Sequence, residues 1–102
     1  MEILAKNNTG NSRFEIQLED GEFAFLDYRY HKKDIVLMHT VVPDNHQGQG
    51  LAGKLAVEAL TFAKSNKIPV VVYCPFVAGY LKKHPEYFEQ MEIKLNTDSS
   101  EQ

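Results

Sequence analysis

The residues Gln47-Gly48-Gln49-Gly50-Leu51-Ala52-Gly53-Lys54 set three glycines against the start of an apolar repeat with helical spacing. Glycine lets a backbone approach a phosphate closely, and the unpaired amides at a helix start bind anions, so this stretch reads as a phosphate-gripping turn. Gly48, Gly50 and Gly53 fit the G-x-G-x-x-G spacing of a dinucleotide site literally. That fingerprint needs an acidic residue about 20 positions on, at the end of the next strand, to hold a ribose. Here the next strand ends in Tyr73-Cys74, and the chain has no room for the further βαβ units. A Walker loop fails because no Gly-Lys-Ser/Thr follows. On the turn alone, a glycine-rich connection without a ligand stands as the alternative.

Cys74 is the second candidate. It closes an apolar run and precedes Pro75, a residue suited to the first position of a helix, so the thiol is expected at the helix N-cap. The helix dipole and free amides there favour a thiolate and a nucleophile. The opposing reading is a buried cysteine that acts as a small hydrophobe. His39 falls within Ile35-Val36-Leu37-Met38-His39-Thr40-Val41-Val42. Period-2 alternation places it on the face of Ile35, Leu37 and Val41, with Thr40 on the other. It is positioned to act as a base or to orient the substrate, against the reading of a hydrogen-bonded core histidine. Asp44, Asn45 and His46 either cap the glycine turn or touch a ligand. No His/Asp/Glu cluster has metal-ligand spacing.

The elements that must position these residues follow from pattern. Arg13 to Glu19 alternates polar and apolar, Asp20-Gly21 supplies a two-residue turn, and Glu22 to Tyr30 is aromatic-rich, which predicts a β-hairpin. His31-Lys32-Lys33-Asp34 turns the chain into the apolar run from Ile35 to Val42, a central strand covered on both faces. Leu51, Leu55, Ala59 and Phe62 recur at helical spacing and predict a helix from about Gly50 to Ser65. Asn66-Lys67-Ile68-Pro69 stops it, and Val70 to Tyr73 is a buried strand. Strand, helix, strand implies a parallel pair with a right-handed crossover. A second helix starts at Pro75 and ends near Lys83, because His84 precedes Pro85. The stretch from Tyr87 to Leu95 holds a short helix or an edge strand. The fold class is therefore α+β, a mixed sheet with an antiparallel hairpin start joined to a parallel βαβ unit and a further helix.

At 102 residues the chain is one domain, 1–95, with a polar tail over 96–102. A hydrophobic share of 43% with 25% charged residues is that of an ordinary globular protein. The net charge of -3 gives no general attraction to nucleic acid, and no apolar run approaches bilayer length. The one cysteine excludes an internal disulfide and a cysteine-based zinc site and fits a reducing compartment. With no signal-peptide pattern in Met1 to Lys6, the expected place is the cytoplasm.

The ordered set of motifs resembles a known superfamily. Gln47-Gly48-Gln49-Gly50-Leu51-Ala52 matches the Gln/Arg-x-x-Gly-x-Gly/Ala pyrophosphate motif of the GCN5-related N-acetyltransferases, after an apolar strand ending in Val41-Val42-Pro43. Ser12-Arg13-Phe14-Glu15, Asp20-Gly21, Cys74-Pro75-Phe76-Val77 and His84-Pro85-Glu86-Tyr87 look like the minimal branch of roughly a hundred residues, so the likeness spans nearly the whole chain. It implies acetyl-CoA between two splayed parallel strands. Val41 and Val42 would offer backbone groups to pantetheine, and Gln47, Gly48, Gln49, Gly50, Leu51, Ala52 and Gly53 would hold the pyrophosphate. Gln47 stands where relatives often carry arginine; Lys54 and Lys83 would supply replacement charge, unless they are simply solvated. The resemblance makes Cys74 a suspected catalytic residue through an acetyl-cysteine intermediate. It also gives Tyr80 the role of protonating the CoA thiolate, although its register is one residue off the family pattern and a helical aromatic usually packs.

The implied activity is acetyl transfer from acetyl-CoA, as co-substrate and without metal, to an unidentified amine on a small molecule or protein, directly or through Cys74. The acidic charge favours a cationic acceptor. No nucleic-acid or membrane partner is expected, and the chain should be a monomer or weak dimer. The competing class is a non-catalytic acyl-CoA-binding or sensing module in which Cys74 and His39 are structural.

Overall fold

The computed structural model describes residues 5–96. The chain start and, from residue 97, the expected polar tail lie outside the described residues. Six strands form one sheet: β1 (Lys6–Asn8), β2 (Arg13–Gln17), β3 (Phe23–His31), β4 (Asp34–Val41), β5 (Val70–Val72) and β6 (Ile93–Leu95), paired in that order. β1 to β4 are antiparallel, whereas β4, β5 and β6 run parallel. Three helices, α1 (Leu51–Ser65), α2 (Pro75–Lys83) and α3 (Glu86–Gln90), complete an α+β architecture with a mixed sheet.

Alternation in β2 and β3 sends Phe14, Ile16, Ala24, Leu26 and Tyr28 into the core. α1 lays Leu51, Leu55, Ala56, Ala59, Leu60 and Ala63 over them. Phe62 meets Phe14 edge-on at 5.7 Å. Each fully buried leucine in such a stripe contributes about 1.5–3 kcal/mol. α1 crosses β2, β3 and β4 and touches α2, whose Val77, Ala78 and Leu81 join the same core. Pro75 occupies the start of α2, and Lys83 ends it at the residue before His84-Pro85.

The sequence expectations for both helices and both hairpin strands hold to within a residue or two, with four differences elsewhere. The β2–β3 turn is a three-residue loop rather than two: the Gly21 amide donates to the Leu18 carbonyl at 3.0 Å, with Gly21 at φ +89°. β1 was not anticipated, because Lys6-Asn7-Asn8 has no apolar alternation; it is held by its pairing with β2 and by the Tyr28 hydroxyl donating to Asn7 at 2.6 Å. The stretch from Tyr87 to Leu95 forms a helix and an edge strand together.

The fourth difference bears on function. In the β3–β4 ladder Tyr28 faces Leu37 and Asp27 faces His39, which leaves Met38 without a partner: β4 carries a β-bulge. The extra residue shifts the parity of everything after it. His39 therefore does not share a face with Ile35 and Leu37, as strict alternation predicts; those two are fully buried while the His39 side chain is 69% exposed. β4 also parts from β5 at this point. Pairing covers only Ile35–Leu37 against Val70–Val72, and the Leu37 carbonyl takes both the Tyr73 amide (2.9 Å) and the Cys74 amide (3.2 Å). Beyond it the strands diverge, so the coverage expected on both faces stops at Leu37.

Candidate active site

The glycine turn lies directly beyond the end of β4. Pro43 leads into a single 3-10 turn, Asp44–His46, after which Gln47, Gly48, Gln49 and Gly50 are all exposed. Gly48 (φ +85°) and Gly50 (φ +77°) take left-handed conformations that favour glycine, and Gly50 is the N-cap of α1. No side chain caps this helix and no acidic residue occupies its first turn. The amides at its start therefore have no intrahelical acceptor. A Cβ added at Gly48, Gly50 or Gly53 would meet nothing within 4 Å, so the space above these amides is open. Unpaired amides at a helix start are donors of the type that bind a phosphate.

Two braces hold the turn. The Gln47 side-chain amide donates to the Val42 carbonyl at 2.8 Å, so Gln47 steadies the end of β4. The Asp20 carboxylate, at the tip of the β2–β3 loop, takes Asn45 Nδ2 at 3.2 Å and pairs with His46 Nε2 at 2.9 Å. Hydrogen bonds from His46 and the Glu22 amide bring the Asp20 carboxyl down to about 2, and the Asp20 hydrogen bond holds the His46 imidazole above its ordinary value.

Cys74 is the N-cap residue of α2, as the sequence argument places it, and it is 1% exposed. Its Sγ lies 3.1 Å from Thr40 Oγ1. Thr40 reaches across from β4 because the bulge turns it to the core side. Tyr80, half-buried on α2, shares a groove with Gly50, Gly53 and Lys54. Burial, then the Tyr87 hydroxyl, push its phenol up, which keeps it protonated at neutral pH. Its ring also stacks on His84 at 4.4 Å, so the packing role and the position in the groove coexist. Lys54 is exposed at the mouth of this groove; Lys83, exposed in the last turn of α2, does not line it.

His39 turns the other way. Asp27 on β3 accepts the His39 backbone amide at 2.7 Å, and its Oδ1 lies 3.5 Å from His39 Nδ1. His39 is thus neither in the core nor beside Cys74 on the helix side of the sheet; it stands exposed on the opposite face, with a carboxylate behind it. Val41, 43% exposed, points out on the same side, and Val42 is half-buried at the turn. The structure therefore brings together the glycine turn, Lys54 and Tyr80 along one groove, and joins Cys74 to a residue the sequence reading passed over, Thr40. Asp27 was passed over too. Thr40 lies in the His39-Thr40-Val41-Val42-Pro43 stretch that carries the family likeness, but nothing in that stretch assigns it a partner; both residues acquire theirs only through a bulge at an apolar residue that blends into its neighbours.

Among the described residues no group of three or more His, Cys, Asp or Glu side chains is arranged to hold a metal. Nor is any helix there long and apolar enough to cross a membrane.

A family model described as GCN5-related N-acetyl-transferase matches residues 13–91. The chain belongs to the GCN5-related N-acetyltransferase family. The proteins named NATD1 from Mus musculus and Homo sapiens are each 38% identical to it over 94 residues, with 88% of this chain and 86% and 83% of theirs covered. The NMR solution structure of a GCN5-like protein from Staphylococcus aureus superposes with a TM-score of 0.66 at 28% identity, covering 93% of this chain and 90% of that one. The mixed sheet is thus a GCN5-related acetyltransferase fold, and the family supports acetyl transfer in general, with acetyl-CoA as its usual donor.

Proposed function

We propose that the protein transfers the acetyl group of acetyl-CoA to an amine. The carrying observation is the open set of helix-start amides at Gly50–Gly53, in a turn fastened through Gln47 to the end of β4, the strand that has parted from β5 after Leu37. In this reading Gly48 to Gly53 hold the pyrophosphate, with Lys54 adding charge. Pantetheine lies along the β4 edge at Val41 and Val42, which directs the thioester toward Cys74. Because Gln47 is engaged with Val42, it acts by fixing the turn and leaves the phosphate to backbone amides.

Two routes are open to this set of residues. In the direct route His39, backed by Asp27, takes the proton from the acceptor ammonium, the amine attacks the thioester carbonyl, and Tyr80 returns a proton to the departing CoA thiolate. In the covalent route the Cys74 sulfur attacks first, its proton passing to the departing CoA sulfur as the S-acetyl bond forms and the C–S bond to CoA breaks; a neutral amine then displaces Cys74, whose sulfur takes up the amine's proton. Thr40 is placed to hydrogen-bond the Cys74 sulfur in either state. The burial of Cys74 favours a second reading for that residue alone, a structural thiol, under which the direct route operates.

Intact mass and CoA release during incubation with acetyl-CoA separate these readings, with Cys74→Ala run alongside. An acetyl adduct that Cys74→Ala abolishes supports the covalent route. Binding without adduct supports direct transfer or a sensing module, and failure to bind acetyl-CoA would sink the proposal.

A further inference from the structure

The segment that leads into the glycine turn is fastened to a distant hairpin, and that connection has no part in the transfer chemistry. We propose that Asp20 is a positioning residue for the coenzyme turn, acting through Asn45 and His46, and that this link makes CoA binding weaken as pH rises. The inference rests on reading Gln47–Gly53 as the pyrophosphate site.

Three donors converge on the Asp20 carboxylate: the Glu22 amide at 3.1 Å, Asn45 Nδ2 at 3.2 Å and His46 Nε2 at 2.9 Å. The first fixes the carboxylate on its own loop. The other two come from the 3-10 turn immediately before Gln47. Gln47 to Gly50 are all exposed, and a Cβ added at Gly48 or Gly50 would meet nothing within 4 Å. Beside the Gln47 bond to Val42 and the entry into α1 at buried Leu51, the Asp20 link ties the approach to this turn to the hairpin. A loop held in its bound shape before the ligand arrives loses less entropy on binding.

His46 gives the link its pH dependence. Its side chain is only 14% exposed, with Nε2 held on the Asp20 carboxylate. The groups that act on it are Asp20 and Glu22 from the hairpin loop and the Gln49 side chain from the glycine turn. All three hold the imidazole above its ordinary value, against the opposing effect of burial. The sign follows. Below the unfolded value the imidazolium is fully present and neutralises Asp20; as pH rises through the higher folded value the proton is lost, and the Asp20 charge stands uncompensated beside a site for an anion. By reciprocity, a bound pyrophosphate pulls the His46 titration upward.

The test is calorimetric acetyl-CoA binding at about pH 6 and about pH 8.5, bracketing histidine titration. It compares the wild type with His46→Gln, which keeps an amide donor for Asp20 but cannot titrate. Titration of the coenzyme's own phosphates is common to both proteins and cancels in the comparison. The wild type is expected to weaken about threefold or more relative to His46→Gln as pH rises, and Asp20→Ala to weaken binding about fivefold at the lower pH. His46 followed by NMR should titrate at higher pH with coenzyme bound. Parallel pH curves for the wild type and His46→Gln, or an unchanged His46 titration on binding, overturn the inference while leaving the coenzyme site intact. Should Asp20→Ala fail to fold by circular dichroism, the His46 measurements decide. If the wild type does not bind acetyl-CoA at all, the reading of the turn and this inference fall together.

Discussion

Along its β3 side, strand β4 is paired from Asp34 to Val41, interrupted only at Met38; along its β5 side it is paired over Ile35–Leu37 alone. The first edge does structural work. It ties the central strand to β2 and β3, where alternating Phe14, Ile16, Leu26 and Tyr28 meet α1. The second edge ends on a carbonyl that accepts two amides, and beyond it the backbone has no neighbouring strand. Thr40, Cys74 and the glycine turn gather at or just beyond that opening, while His39 and Asp27 mark it from the other face. The same strand thus supplies rigidity on one side and a gap on the other, and the bulge at Met38 decides which side chains face which.

Mutations can break this contrast. The largest effect is expected from Leu37→Ala, which empties a fully buried position at the last paired rung. Stability should fall by about 2–5 kcal/mol in chemical denaturation. A loss under about 1 kcal/mol would mean the end of the seam is not held by core packing. Next is Gly50→Asp, which places a carboxylate among the free amides and forces a non-glycine residue to φ +77°. Strain of about 1–3 kcal/mol plus charge repulsion should weaken acetyl-CoA binding about fiftyfold or more. The fold should survive by circular dichroism, since nothing packs against this position. Affinity within about twofold of wild type would place the phosphate elsewhere. The smallest effect belongs to Thr40→Val, which keeps shape but removes the 3.1 Å contact with Cys74. Acetylation of Cys74 should slow about fivefold, equivalent to about 1 kcal/mol. Thr40→Ser should recover most of that rate; equal rates in all three proteins would assign Thr40 to packing.

Much of this architecture is legible in the sequence because the signals are local. The Leu51–Ala63 stripe, Pro75 at a helix start and His84-Pro85 at its end specify α1 and α2 nearly to the residue. The glycine turn and the N-cap position of Cys74 are legible for the same reason. What alternation could not reveal is the bulge, since Met38 is as apolar as its neighbours and a one-residue insertion changes parity without changing composition. The placement of His39 fails on that account. Thr40, Asp27 and Asp20 are likewise invisible beforehand: each acts on a residue 12 to 34 positions away in the chain, reached only through strand register or loop packing.

The contrast between the two edges of β4 is tested most directly by following backbone amides by NMR during an acetyl-CoA titration. Shifts should concentrate at Met38–Val42, at Gly48–Lys54 and at Tyr73–Phe76, with the paired β1–β2 and β2–β3 rungs remote from Asp20 unmoved. Shifts centred on those paired rungs, or no shifts at saturating coenzyme, would contradict it.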